Sequence, residues 1–147
     1  MTKQLSITLI DFTAAAFVTL YGYAGLTKLM HHHDFYSAIL HSPAIASYAT
    51  LLSLAIPVAE IIISVLLIIP KTRLTGLTSA TILMAILTTY VAMILASSGS
   101  LPCTCGGIIS RMGWKAHLML NSAFLVAGLW AIIISIRYKN LYSYKQE

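Results

Sequence analysis

The chain has 147 residues, 59% hydrophobic and 9% charged, with a mean hydropathy of +0.86 and a formal net charge of +5. A soluble domain carries about 25% charged residues, so the composition excludes a water-soluble enzyme and points to an integral membrane protein, with room for one domain over residues 1–147. The nine Lys and Arg residues flank apolar runs instead of gathering in a patch, which excludes a nucleic-acid surface.

A helix that crosses a bilayer needs roughly 20 mostly apolar residues. The first predicted span covers residues 5–29, carries Asp11 and ends Tyr21-Gly22-Tyr23-Ala24-Gly25-Leu26-Thr27-Lys28-Leu29. Gly22 and Gly25 permit close approach of another helix. Only Lys3 precedes the run, Asp11 falls early in it, and it continues past the length of a signal-peptide core, so the segment is expected to stay as a helix. Lys28 reads first as a snorkelling residue at the span's end, with stabilisation of a thiolate as the alternative, and Asp11 as an interfacial or helix-capping acid. His31-His32-His33-Asp34 then interrupts the apolar pattern, and residues 35–40 predict a short interfacial helix. Consecutive histidines do not share a helix face, so these read as a solvated loop, with no metal site expected.

The second span covers residues 46–69 and contains Pro57 and Glu60. Pro57 frees a backbone carbonyl and can kink the helix. Glu60 falls about 18 Å along the span at 1.5 Å per residue, near the bilayer midplane. An ionisable group there is costly. It is either functional, handling protons or touching a cofactor, or a glue that bonds a Thr or Tyr of a neighbouring helix. The third span, residues 74–96, carries Thr78, Ser79, Thr81, Thr88 and Thr89, whose hydroxyls can bond their own helix or another. The fourth, residues 116–136, is opened by Trp114-Lys115-Ala116-His117. The fold class is therefore all-α: a polytopic four-transmembrane-helix bundle with a short interfacial helix after the first span.

Orientation follows from the basic residues. With four spans, the N-terminus, the loop between spans two and three, and the tail share one side. That side holds Lys3, Lys71, Arg73, Arg137, Lys139 and Lys145, while the other holds Lys28, Arg111 and Lys115. The positive-inside rule makes the first set cytoplasmic. In the membrane this implies, the bacterial cytoplasmic membrane, both termini face inward. The segment between spans three and four then faces the periplasm, where disulfides form and persist.

That segment holds the two cysteines of the chain, in Leu101-Pro102-Cys103-Thr104-Cys105-Gly106-Gly107. Cysteines at i and i+2 can close a disulfide only in a turn, and Pro102, Gly106 and Gly107 supply turn chemistry. As a staple the bond is poor: a three-residue ring gives about 1.6 kcal/mol in the loop-entropy model. Strained, exposed disulfides are the labile or catalytic ones. Redox exchange is the leading reading. An inert local bridge, or half of a metal site that would need further ligands, stands beside it. His117 and Asn121 are four residues apart and share a helix face, with Trp114 one turn above. A histidine near a thiol can lower its pKa or take its proton, whereas Trp-Lys-His can also be a plain interfacial anchor.

Gly25-Leu26-Thr27-Lys28-Leu29, then Phe35 and Ser42-Pro43, then Pro57-Val58-Ala59-Glu60 resemble the MauE/DoxX family of four-helix membrane proteins. The Cys103-Thr104-Cys105-Gly106-Gly107 turn with Trp114, His117 and Asn121 is similar to the redox-associated, MauE-like branch. The resemblance covers nearly the whole chain. It implies a role in methylamine dehydrogenase maturation, beside a thioredoxin-like partner in disulfide formation. The bundle is also similar to that of vitamin K epoxide reductase-type proteins, which couple disulfides to quinones. The chain departs from those in lacking a C-x-x-C motif and a second cysteine pair.

The function expected is a membrane thiol–disulfide oxidoreductase or disulfide-maturation protein. Cys103, Cys105 and His117 carry the exchange with a thioredoxin-like or cysteine-bearing exported protein. Glu60, Asn121 and Trp114 would contact the electron carrier, for which a quinone is the candidate the resemblance offers. The alternative is a non-enzymatic scaffold subunit of a membrane complex, homo- or hetero-oligomeric, with the cysteines as a local bridge. A transporter or metal carrier built on Glu60 and the histidines is the third class.

Overall fold

The computed structural model describes residues 3–42, 45–96 and 113–143. Its helices are α1 (Lys3–Met30), α2 (His32–Leu40), α3 (Ala49–Ile68), α4 (Arg73–Ala96) and α5 (Trp114–Ser143). Single 3₁₀ turns at Ala46–Tyr48 and Pro70–Thr72 lead into α3 and α4. Among the described residues there is no strand. Four segments are long and apolar enough to cross a membrane: Leu5–Met30, Ala46–Ile68, Pro70–Met93 and Lys115–Arg137. The bundle's exterior suits lipid, since Leu51, Ile62, Ile86 and Val126 all stand more than half exposed.

The four long helices form a ring in chain order. α1 packs against α3 and α5, and α4 closes the ring between α3 and α5. Phe17, Tyr21, Leu67, Leu77, Met84 and Ala131 fill the centre. The Phe17 ring stacks on Tyr21 at 5.7 Å and meets Phe124 edge-on at 5.1 Å. Across the ring's diagonal, the Tyr21 hydroxyl donates to the Ala80 carbonyl at 2.8 Å. A buried Tyr O–H needs such a partner.

The hydroxyls of α4 resolve one open expectation. Thr78, Thr81, Thr88 and Thr89 donate to the carbonyls of Leu74, Leu77, Met84 and Ala85 of their own helix, at 2.6–2.9 Å. None of these four bonds crosses to another helix. Bonding the preceding turn satisfies the hydroxyl without a partner helix.

At the end of α3, helix-terminal carbonyls left without amide partners are taken by the following turn. Thr72 donates its hydroxyl to the Leu66 carbonyl at 2.9 Å, and the Arg73 Nε reaches the Leu67 carbonyl at 3.4 Å. Gly76 lets α4 lie against this end of α3, for a Cβ there would stand 2.9 Å from the Leu67 backbone nitrogen.

The short helix α2 starts at His32, earlier than the polar run implied. Asp34 in its first turn is favourably placed against the helix dipole. Phe35 and Ile39 bury against Ala49, with Leu52 and Ile56 beside them, so α2 lies over the first half of α3. Two hydroxyl contacts fix this region: His32 Nε2 to Ser53 Oγ at 3.2 Å, and Ser42 Oγ to Tyr90 Oη at 2.7 Å.

Candidate functional site: a buried ion pair between the first and third helices

Glu60 sits inside α3 at 1% exposure, and Lys28, two residues from the end of α1, is its partner. The Lys28 ammonium donates to Glu60 Oε1 at 2.5 Å, with the lysine side chain only 13% exposed. Lys28 does not snorkel to the surface, and Glu60 does not bond a Thr or Tyr as glue. The contact corrects the snorkelling expectation; for Glu60 it keeps a bond between helices and puts Lys28 in the place of a Thr or Tyr partner. A charge this deep is stabilised by an opposite charge more than by a hydroxyl.

The backbone explains how the two meet. α1 and α3 run antiparallel, and side chains lean toward the N-terminus of their own helix. Lys28 therefore leans back along α1 while Glu60 leans back along α3, and the two converge. The helices are close enough because Gly25 faces α3. A Cβ at Gly25 would stand 3.0 Å from the Pro57 carbonyl oxygen and 3.0 Å from Ile61 Cδ1. Each charged residue thus follows the contact point by one turn, at Gly25-x-x-Lys28 and Pro57-x-x-Glu60.

The pair is capped and unequally satisfied. The Phe35 ring of α2 lies 5.5 Å from the Lys28 nitrogen, within cation–π range. Glu60 Oε2 is buried and has no hydrogen-bond partner among the described residues. Such a lone acceptor is expensive inside a protein.

His117 lies in the first turn of α5, half-buried, and the Lys28 charge reaches it. Asn121, one turn on, is 5% exposed and faces the same way. Lys28, Glu60, His117 and Asn121 thus lie toward the end of the bundle where α4 stops at Ala96 and α5 starts at Trp114. Cys103 and Cys105, in the segment joining those helices, lie outside the described residues. Trp114 is the first residue of α5.

Sequence reasoning considered Lys28 and Glu60 singly. The signal available was that each follows a close-contact residue by three positions. For Asp11 only the capping alternative is corrected, since it stands half-exposed toward one end of the bundle. It is the ninth residue of α1 and caps nothing; it pairs with Arg73 at the start of α4, at the opposite end of the bundle. His31 and His41 turn their rings onto the Thr27 and Ser37 carbonyls of the preceding turn. Among the described residues, no three His, Cys, Asp or Glu side chains are grouped to hold a metal ion.

A four-helix membrane bundle with one buried, lysine-paired carboxylate is the class of protein this structure defines. The family model described as methylamine utilisation protein MauE matches residues 6–134, and the chain belongs to the MauE family. Comparison with curated proteins and with solved structures gave no match.

Proposed function

We propose that this MauE-family protein carries out thiol–disulfide exchange on the outer side of the bacterial cytoplasmic membrane. Cys103 and Cys105 exchange with a thioredoxin-like or cysteine-bearing exported protein. The observation that carries the reading is the Lys28–Glu60 pair, with its unpartnered Oε2, lying toward the bundle end from which the cysteine segment is tethered. A buried acid held by a lysine, with a histidine in reach of the same charge, suits the handling of protons beside a thiol. The asymmetry of Lys and Arg across the spans supports cytoplasmic termini and a periplasmic cysteine segment.

The exchange balances on the cysteines alone. In the oxidising direction, a partner thiolate attacks the Cys103–Cys105 disulfide and forms a mixed disulfide. The second partner thiolate then displaces it. Two electrons arrive on this chain, the partner leaves oxidised, and the partner's two protons end on Cys103 and Cys105. His117, in the first turn of the helix that follows the cysteine segment, is the base we assign to take or return such a proton. A quinone, when bound, would accept the two electrons and two protons of the dithiol. The buried Asn121 amide N–H would donate to a carbonyl of the quinone, and Glu60 Oε2 would accept from a hydroxyl of its reduced form.

Cysteine trapping in cells tests the proposal. Of Cys103→Ser and Cys105→Ser, one should accumulate a discrete mixed disulfide with an exported protein and the other should not. Glu60→Gln should stay folded but slow the exchange, and His117→Ala should slow alkylation of the reactive thiol. A double-Ser variant that supports full maturation of cysteine-bearing exported proteins overturns the redox reading and leaves a scaffold.

A further inference from the structure

We propose that the groove between α1 and α5 seats one anionic phospholipid, its acyl chain along the groove and its phosphate on Arg137. The groove has a volume of about 360 Å³ and is walled by Leu9, Phe12 and Ala16 of α1 and by Ala123, Ala127 and Ile134 of α5. Its one hydroxyl, on Thr13, is already bonded to the Leu9 carbonyl at 2.8 Å. Apart from Thr13 and the indole N–H of Trp130 the lining side chains are hydrocarbon, and both helices are long and apolar enough to cross a membrane, so an acyl chain is what fits.

Size and charge narrow the occupant. Ala123 to Ile134 spans about 16 Å at 1.5 Å per residue, close to one leaflet of a hydrocarbon core about 30 Å thick. A volume of about 360 Å³ over about 16 Å of helix leaves a mean cross-section of about 22 Å², room for a single acyl chain and not for a helix about 10 Å across with its side chains. At the groove's lower end the charge is positive. Arg137 stands seven residues after the groove-lining Trp130, two turns further along the same edge of α5, and is exposed. Of the described carboxylates, Asp11 belongs to Arg73, Glu60 to Lys28, and Asp34 lies at the other end. Arg137 therefore has no acidic partner among the described residues. A guanidinium at headgroup level, over a chain-shaped groove one leaflet long, fits an anionic phosphate in a way that a neutral or zwitterionic lipid does not.

Trp130 is a built-in reporter, since the chain has two tryptophans. With Trp114→Phe, the full chain is reconstituted in phosphatidylcholine vesicles holding a minor fraction of phosphatidylglycerol. Either lipid carries brominated, fluorescence-quenching chains. One basic side chain at an anionic surface contributes about 1 kcal/mol, so at equal mole fraction the phosphatidylglycerol should occupy the groove about fivefold more. Arg137→Gln should bring the two lipids to parity, and Ala127→Leu should reduce quenching by both. Equal quenching in the Arg137 protein, or a preference that survives Arg137→Gln, overturns the proposal. Native mass spectrometry of the unaltered chain gives a second readout. One phosphatidylglycerol should be retained after delipidation and lost in Arg137→Gln; retention unchanged by that substitution also overturns it.

Discussion

Among the described residues two ion pairs fasten α1 to the rest of the bundle, one toward each end, and they are built from opposite halves of the same chemistry. In the first, α1 supplies the cation and α3 the acid; in the second, α1 supplies Asp11 and α4 supplies Arg73. Lys28 and Glu60 are 13% and 1% exposed, whereas Arg73 and Asp11 are 31% and 52% exposed. The Asp11–Arg73 pair is partly exposed and is screened. The inner one is enclosed by Gly25, Pro57, Ile61 and Phe35, and one of its oxygens is left with no donor among the described residues. A contact made only to hold helices together would resemble the Asp11–Arg73 pair. The Lys28–Glu60 pair carries a desolvation cost that such a role does not need, and this is why it is the candidate for chemistry.

The largest effect should come from truncating the lysine of the enclosed pair. Lys28→Ala strands a buried carboxylate and should cost about 3–5 kcal/mol, seen as loss of folded protein or a large drop in thermal midpoint in detergent. Replacing both, as Lys28→Met/Glu60→Leu, should return stability close to that of the unaltered chain while exchange with the partner stays slow. Recovery of full exchange by the apolar double variant would reduce the pair to packing.

Next in size is the contact that allows the pair to form. A Cβ at Gly25 crowds the Pro57 carbonyl and Ile61, so Gly25→Ala should destabilise by about 1–3 kcal/mol and slow exchange by moving Lys28 off Glu60. Gly22 is the control: a Cβ there would meet Ser64 Oγ at 3.9 Å, an ordinary contact. Gly22→Ala should be neutral to slightly stabilising, because alanine is the better helix former. Equal effects of the two substitutions, compared by thermal unfolding, would remove the special status of Gly25.

The smallest effect belongs to the exposed pair. Arg73→Gln should change stability by no more than about 1 kcal/mol and leave exchange unaltered, with the difference shrinking further as salt is raised. A loss as large as that of Lys28→Ala would erase the contrast between the two ends.

The four spans were legible because each is a long apolar run, and the run length alone dictates a helix where backbone groups have no water to bond. The start of α2 was not, since His32 and His33 read as loop by polarity, although both are helical: His33 is exposed, while His32 reaches Ser53 of α3 from a helix whose buried side is Phe35 and Ile39. Glu60 stood out as an acid in a membrane span. Its partner did not, because Lys28 lies 32 residues away and a lysine at a span's end has an ordinary explanation. Only helix register turns two separate charges into a pair. The destination of the α4 hydroxyls was open for a similar reason: sequence supplies the donor, and backbone geometry decides that the preceding turn is nearer than the next helix.

During synthesis Lys28 enters the membrane before Glu60 does. Chains are made from the N-terminus, and a helix with an acid near its middle inserts at a cost of a few kcal/mol on its own. α1 is by then already in place with a lysine aimed at the level where that acid will arrive, and Gly25 marks the docking height. The first helix thus acts as the receiving template for the third, so the α1–α3 hairpin is the earliest unit able to persist in lipid. Truncation after residue 72 should leave a protease-resistant pair of helices, whereas the segment carrying Glu60, expressed without α1, should be rejected by the insertion machinery or cleared by membrane quality control.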